Sequence, residues 1–183
     1  MKAKSTLCRM EILYSLDLMF DPMIRKVNSN DLAECVEVIK NSFLTVADEF
    51  GFTPENAPRF TAFATTIERL LWHFENEKRP MFAFVEDDKI IGYYSLALQA
   101  NNACELNNLC VLPQFRHQKI GEKLLLHAFN IAKNLGCTKM NIGIVEENQR
   151  LRKWYEKFGF SHTGTQKFDF FPFTCGYMKR ELT

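Results

Sequence analysis

The stretch from Ala103 to Val145 constrains the fold more than any other part of the chain. Ala103 to Leu112 reads as a strand, closed by Pro113. Ile120, Leu124, Ala128, Ile131 and Leu135 then recur at helical spacing, which predicts an amphipathic helix over 120–135 with Gly136 as its stop. Lys139 to Val145 is strand-like again. Strand, helix and strand joined this closely predict a right-handed βαβ crossover between parallel neighbours. The helix must then begin at the carboxyl edge of the strand that ends at Leu112.

The remaining segments fit around that unit. Met23 to Val27 reads as a short first strand, and Ser29-Asn30-Asp31 supplies cap chemistry for a helix through Leu32, Cys35, Val36, Ile39 and Phe43. Thr53-Pro54-Glu55 is expected to open a second helical region carrying Phe60, Phe63, Ile67, Leu70, Leu71 and Phe74. Pro80 ends it, and residues 81–98 give two strands around Asp87-Asp88. Asn148 to Phe158 predicts a short helix closed by Gly159. The tail holds two further strand-like runs, with Phe168, Phe170, Phe171 and Phe173 expected to finish the sheet rather than line a pocket. This order predicts an α/β fold with a mixed sheet. Residues 1–22 stand outside the pattern as an N-terminal extension with no assigned role, and 23–183 form one domain.

Composition narrows the function. Lys plus Arg total 23 against 22 Asp plus Glu, so the chain lacks the broad basic face that nucleic acid requires. No apolar run approaches the roughly 20 residues of a membrane span. The faintly leader-like start is interrupted by Glu11 and Asp17. The 6 cysteines form no CxxC pair and have no histidine at ligand spacing, so no metal is expected. Cys104, Cys110 and Cys137 lie in hydrophobic stretches, as buried thiols in a reducing compartment would. These features read as cytoplasmic.

The turn between Pro113 and Gly121 is where chemistry enters. A strand runs into a polar turn that feeds a strong helix, so backbone N–H groups from about 116 to 121 meet the positive end of a helix dipole. That is an anion site. Arg116, Lys119 and Lys123 add charge against Glu122, and Gly121 lets a phosphate come close. On the turn alone, a solvated basic surface explains the same residues.

Val111-Leu112-Pro113 followed by Arg116 and Gly121 closely resembles the cofactor motif of the GNAT superfamily of N-acetyltransferases: Arg or Gln, two residues, Gly, one residue, then Gly or Ala. Lys119 stands where the family has its middle glycine, and lysine is expected there in right-handed helical geometry. Asn148, Tyr155 and Lys157-Phe158-Gly159-Phe160 match the family's last helix and following strand. The likeness runs from Met23 to the end of the chain.

The resemblance implies a GNAT-like mixed central sheet of about six to seven strands with flanking helices. It implies acetyl-CoA as co-substrate, its pyrophosphate on Arg116, His117, Gln118, Lys119, Ile120, Gly121 and Glu122. His117 in that turn is expected to order the loop. Its pantetheine arm would pair with backbone at Leu109, Cys110 and Val111, in a splay between the two central strands. An N–H near Val111 would polarise the acetyl carbonyl, and Asn148 would also touch the cofactor.

Acyl transfer to an amine further needs an acid for the thiolate and a base for the amine. Tyr155 is the expected acid, seven residues and about 10.5 Å of helix from Asn148. The stripe Leu151, Trp154, Tyr155, Phe158 also fits plain core. Glu105 is the expected base, acting through water, because roughly 13 Å of strand separates it from Leu109 unless a bulge intervenes. A solvent-facing carboxylate is the alternative. Asp48, Glu49 and Glu55 are candidate attractors of a cationic amine, or ordinary solvated surface. His73, His127 and His162 read as surface or packing. The activity implied is direct acetyl transfer to a primary amine of a small molecule or peptide, with Cys110 keeping an acetyl-enzyme open. A non-catalytic acyl-CoA-binding module is the alternative. No nucleic acid, membrane or metal partner is expected, and a homodimer is admitted.

Overall fold

Asp87 and Asp88 set the first long hairpin. Both have positive φ, 49° and 60°, the pair of left-handed conformations that a two-residue hairpin turn demands. They join β2 (Met81–Glu86) to β3 (Lys89–Gln99). With β1 (Ile24–Lys26), β4 (Ala103–Val111), β5 (Lys139–Val145), β6 (Ser161–Lys167) and β7 (Thr174–Glu181) they make one 7-stranded sheet in the order β1-β2-β3-β4-β5-β7-β6. The structure, a computed structural model, describes residues 21–182. The expected extension at 1–22 therefore lies almost wholly outside the described residues.

All neighbouring strands are antiparallel except β4 and β5, which are parallel and joined through α4 (Ile120–Asn134). This is the crossover the hydrophobic spacing predicted. Leu135, the last member of that stripe, is exposed, while Leu125, Phe129 and Ala132 are buried in its place.

Helices cover both faces. α1 (Leu32–Phe50) begins after a turn at Ser29–Asp31, where Asn28 and Asp31 form a reciprocal capping box and Arg25 forks onto Asp31. It packs with α3 (Ile67–Glu75) on one face, over Tyr93 and Cys110. α4 and α5 (Gln149–Lys157) cover the other, over Tyr94, Leu106 and Val111. Consecutive Tyr93 and Tyr94 are thus both buried, on opposite faces. Gly92 permits the α4 contact: a Cβ there would stand 2.9 Å from Leu124 Cδ1 and 3.2 Å from the Cys110 carbonyl. Among the described residues no helix is long and apolar enough to cross a membrane.

Two expectations fail. Thr53 does not open a helix; Thr53 and Asn56 bond each other's backbone and close a turn. The helical stripe starts only at α2 (Thr61–Ala64) and is split by Thr66, which caps α3 through Arg69 N–H. The aromatic run 168–173 is no strand either. It forms the β6–β7 connection, and Phe173 packs with Phe52 and Phe60 into a separate aromatic core.

Candidate active site

β4 and β5 pair only at Ala103–Glu105 with Lys139–Asn141. Beyond that the strands diverge, and residues 106–111 of β4 present an edge that β5 does not cover. β4 itself is irregular here. Asn108 has φ 54°, and the β3–β4 register slips between Tyr93 and Ser95. The extra residue is a β-bulge, and it reverses the alternation of faces. Glu105 and Asn107 lie on the α3 side, but beyond the bulge it is Cys110 that faces that side and Val111 that faces α4. The bulge that a short reach from Glu105 required is therefore present.

The turn after β4 is built by Pro113–Phe115 and by Arg116. Arg116 donates from Nε to the Val111 carbonyl at 3.2 Å and from Nη2 to the Ser42 carbonyl at 2.9 Å. Its guanidinium ties the strand exit to α1 rather than facing solvent as free charge. Lys123 is likewise engaged, 2.9 Å from Asp21. What the turn offers is backbone. The N–H groups of residues 117–122 donate to no described group, and they stand at the head of α4, where an anion is favoured. Lys119 is left-handed, with φ 61° and ψ 9°, not right-handed as expected. His117 is left-handed too, with φ 65°. A Cβ on Gly121 would meet Val111 Cγ2 at 3.8 Å and Trp154 Cζ2 at 4.0 Å, ordinary contact distances. Bare amides at the head of a helix fit a pyrophosphate.

α5 closes the far side of the splay. Asn148, buried, caps it by accepting from Leu151 N–H at 3.0 Å, which leaves its amide NH₂ as the group able to donate to a ligand. Tyr155 is buried between Trp154 and Phe160. Burial, with the Cys110 thiol nearby, raises its phenol above the ordinary range and keeps it protonated. Tyr155 thus belongs to the core and lies near enough to Cys110 of β4 for the two groups to interact. Cys110 is buried and its thiol pushed up to about 12, chiefly by desolvation.

On the α3 side of the bulge a second cavity, of about 200 Å³, is lined by Glu105, Asn107, Asn108, Arg59, Arg69 and Arg79, among others. Burial raises the Glu105 carboxyl, partly opposed by Arg79, and Gln99 Nε2 donates to it at 3.1 Å. Glu105 is therefore half-buried at the cavity wall. His73 lines the same cavity, lowered by burial and by Arg79. Nothing in the local sequence around 59–79 marked this assembly, because its arginines converge only through the turn at Thr66. Of the candidate attractors, Asp48, Glu49 and Glu55 are exposed and Glu49 pairs with Arg150, in keeping with solvated surface charge. The phenylalanines between them face the aromatic core instead. His127 and His162 have partners that sequence did not reveal, the Tyr94 hydroxyl at 2.7 Å and Glu146 at 2.9 Å.

A mixed sheet split between its two parallel strands, with an amide-lined turn at the crossover helix, defines an acyltransferase of the coenzyme A-using kind. The sequence profile of the acetyltransferase (GNAT) family matches residues 44–160, and the chain belongs to that family. It is an N-acetyltransferase. A spermidine N(1)-acetyltransferase of Thermoplasma acidophilum is 28% identical over 151 residues, covering 80% of this chain and 92% of that one. An uncharacterised N-acetyltransferase of Mycobacterium tuberculosis is 25% identical over 115 residues, 63% of this chain and 74% of that one. The crystal structure of the PaiA N-acetyltransferase of T. acidophilum in complex with coenzyme A superposes with a TM-score of 0.75 at 25% identity, covering 86% of this chain and 97% of that one.

Proposed function

We propose that the protein transfers the acetyl group of acetyl-CoA directly to a primary amine of a small molecule or peptide. The observation that carries this reading is the splay itself: an uncovered β4 edge over 106–111, with backbone amides at 117–122 that donate to no described group and the buried Tyr155 phenol on α5. Bound acetyl-CoA would supply the activated thioester. The chain's part is to hold and to move protons. Amides 117–122 take the pyrophosphate, backbone at Leu109, Cys110 and Val111 pairs with the extended arm, and Asn148 donates its amide to the same arm. Tyr155 donates its proton to the departing sulfur. Glu105 receives the amine's proton through water, its raised basicity suiting it to that work near neutral pH.

Cys110 supports direct transfer over an acetyl-enzyme, since a thiol at about 12 is un-ionised at neutral pH and faces the α1 core. The coenzyme A-bound relative and the spermidine-acetylating relative support the cofactor and the amine class. The test is thiol release from acetyl-CoA over a panel of amines, with Tyr155→Phe beside wild type. Loss of a positioned general acid lowers kcat by about 10²-fold or more with acetyl-CoA affinity kept. A Tyr155→Phe enzyme as fast as wild type would remove the acid from Tyr155.

A further inference from the structure

The cavity beside the bulge carries the wrong charge for a polycation. Of the side chains lining it, Glu105 is the one carboxylate, set against Arg59, Arg69 and Arg79. Arg59 stacks on the Phe170 ring, 4.5 Å from its centre, which fixes the guanidinium without neutralising it. Arg69 donates Nη1 to the Ala64 carbonyl at 3.3 Å, again a neutral partner. Arg79 pairs with Glu77, which is solvent-exposed and is not among the residues lining the cavity. Three guanidiniums thus converge with little acid among them, next to a carboxylate on the strand that leads to the bulge. Such an arrangement has two poles, one for an anion and one for an amine.

Resting on the transfer reading above, we infer that the acceptor is a small amine bearing an anionic group, carboxylate or phosphate-like, docked on Arg59, Arg69 and Arg79 with its amine toward Glu105 and the Asn107–Asn108 bulge. Guanidiniums fork onto either anion in the same way, which makes the shared chemistry the claim. The cavity's size agrees, because about 200 Å³ lies below the roughly 300–1,000 Å³ of pockets that take drug-sized ligands. Thr61 and Thr65 line the same wall and can donate hydroxyls to the anion.

Thiol release from acetyl-CoA is compared for 4-aminobutyrate, 3-aminopropylphosphonate, 4-aminobutyramide and spermidine, in wild type, Arg69→Gln and Arg59→Gln. Both arginines are exposed, and thermal unfolding confirms that each variant folds. At least one anionic amine should exceed the amide in kcat/KM by about tenfold or more, and that ratio should collapse toward one in the variants. The order of carboxylate and phosphonate identifies the anion. Amide or spermidine used as well as the anionic amines overturns the inference while acetyl transfer stands. Should none of these four amines release thiol, calorimetric titration of the same amines with coenzyme A present decides the cavity separately. Anion-selective binding lost in Arg69→Gln supports it; equal binding, or none, overturns it.

Discussion

Lys119 holds φ 61° at a position where its relatives' motif calls for glycine. A left-handed non-glycine residue costs about 1–2 kcal/mol, part of which a glycine would return as extra freedom of the unfolded chain. Its side chain is exposed, so little packing is lost with it. Lys119→Gly should therefore stabilise the fold by up to about 1 kcal/mol, a rise in Tm of roughly 2–4 °C. Differential scanning calorimetry reads this directly. Acetyl-CoA affinity in the same variant should fall a few-fold, because among the described residues Arg116 and Lys123 are bonded within the protein while the Lys119 ammonium is exposed. Opposite movements of Tm and affinity mark strain kept for binding. Arg116 is the contrasting case: it matches the motif, yet its guanidinium holds two carbonyls of its own chain.

At the scale of elements, the proposed chemistry falls on β4, and the pH behaviour expected of it follows from Glu105. Burial raises that carboxyl, so protonation, which disables a base, sets in at higher pH than for an exposed glutamate. The expected kcat/KM profile has an acid limb displaced upward, and Glu105→Gln should remove the limb along with most activity. The linkage sign is equally definite. The folded state holds the proton more tightly than the unfolded one, so stability falls as pH rises between the unfolded and folded values. Glu105→Gln should then be more stable than wild type at neutral pH, measured by urea unfolding, and no more stable in acid.

Much of this was legible beforehand, for definable reasons. The crossover, the Asp87-Asp88 hairpin, the strand limits of β4 and β5 and the helix from Asn148 rest on local periodicity and turn chemistry, which a sequence displays. The failures are places where distant contacts overrule local pattern. Thr53–Asn56 closes a turn where a helix stripe was expected, and the run of phenylalanines at 168–173 leaves the sheet to meet Phe52 and Phe60. The bulge at Asn108 has only a faint local sign, an Asn-Asn pair inside a strand, asparagine being a residue that tolerates positive φ. The arginine-lined cavity could not be read either, because residues 59, 69 and 79 meet 105 only through tertiary packing.

For the whole molecule, the opening between β4 and β5 makes two half-sheets joined at one closed end, where Thr138 N–H bonds the Asn102 carbonyl at 2.7 Å. A ligand lying along residues 106–111 would bridge them. At 100 times its Kd it should raise stability by about 2.7 kcal/mol. Hydrogen exchange should slow most at 106–112, 117–122 and 142–148, and little at β6. Uniform slowing, or none at the turn, would place the ligand elsewhere.

The bulge at Asn108 has a wider consequence. By exchanging the strand's faces at a single residue, it lets one β-strand belong to two separate workshops. Glu105 and Asn107 answer to the arginine-bearing segment 59–79, and Val111, beyond the bulge, faces the crossover helix that begins at the 117–122 turn. If the acceptor docks as inferred above, its choice can be rewritten by altering 59–79 alone, with the residues assigned to the donor left in place. Removing one residue from the bulge would instead turn Cys110 and Val111 to each other's sides and unmake both workshops at a stroke. The same scaffold is freely re-addressable in one direction and unforgiving of length in the other.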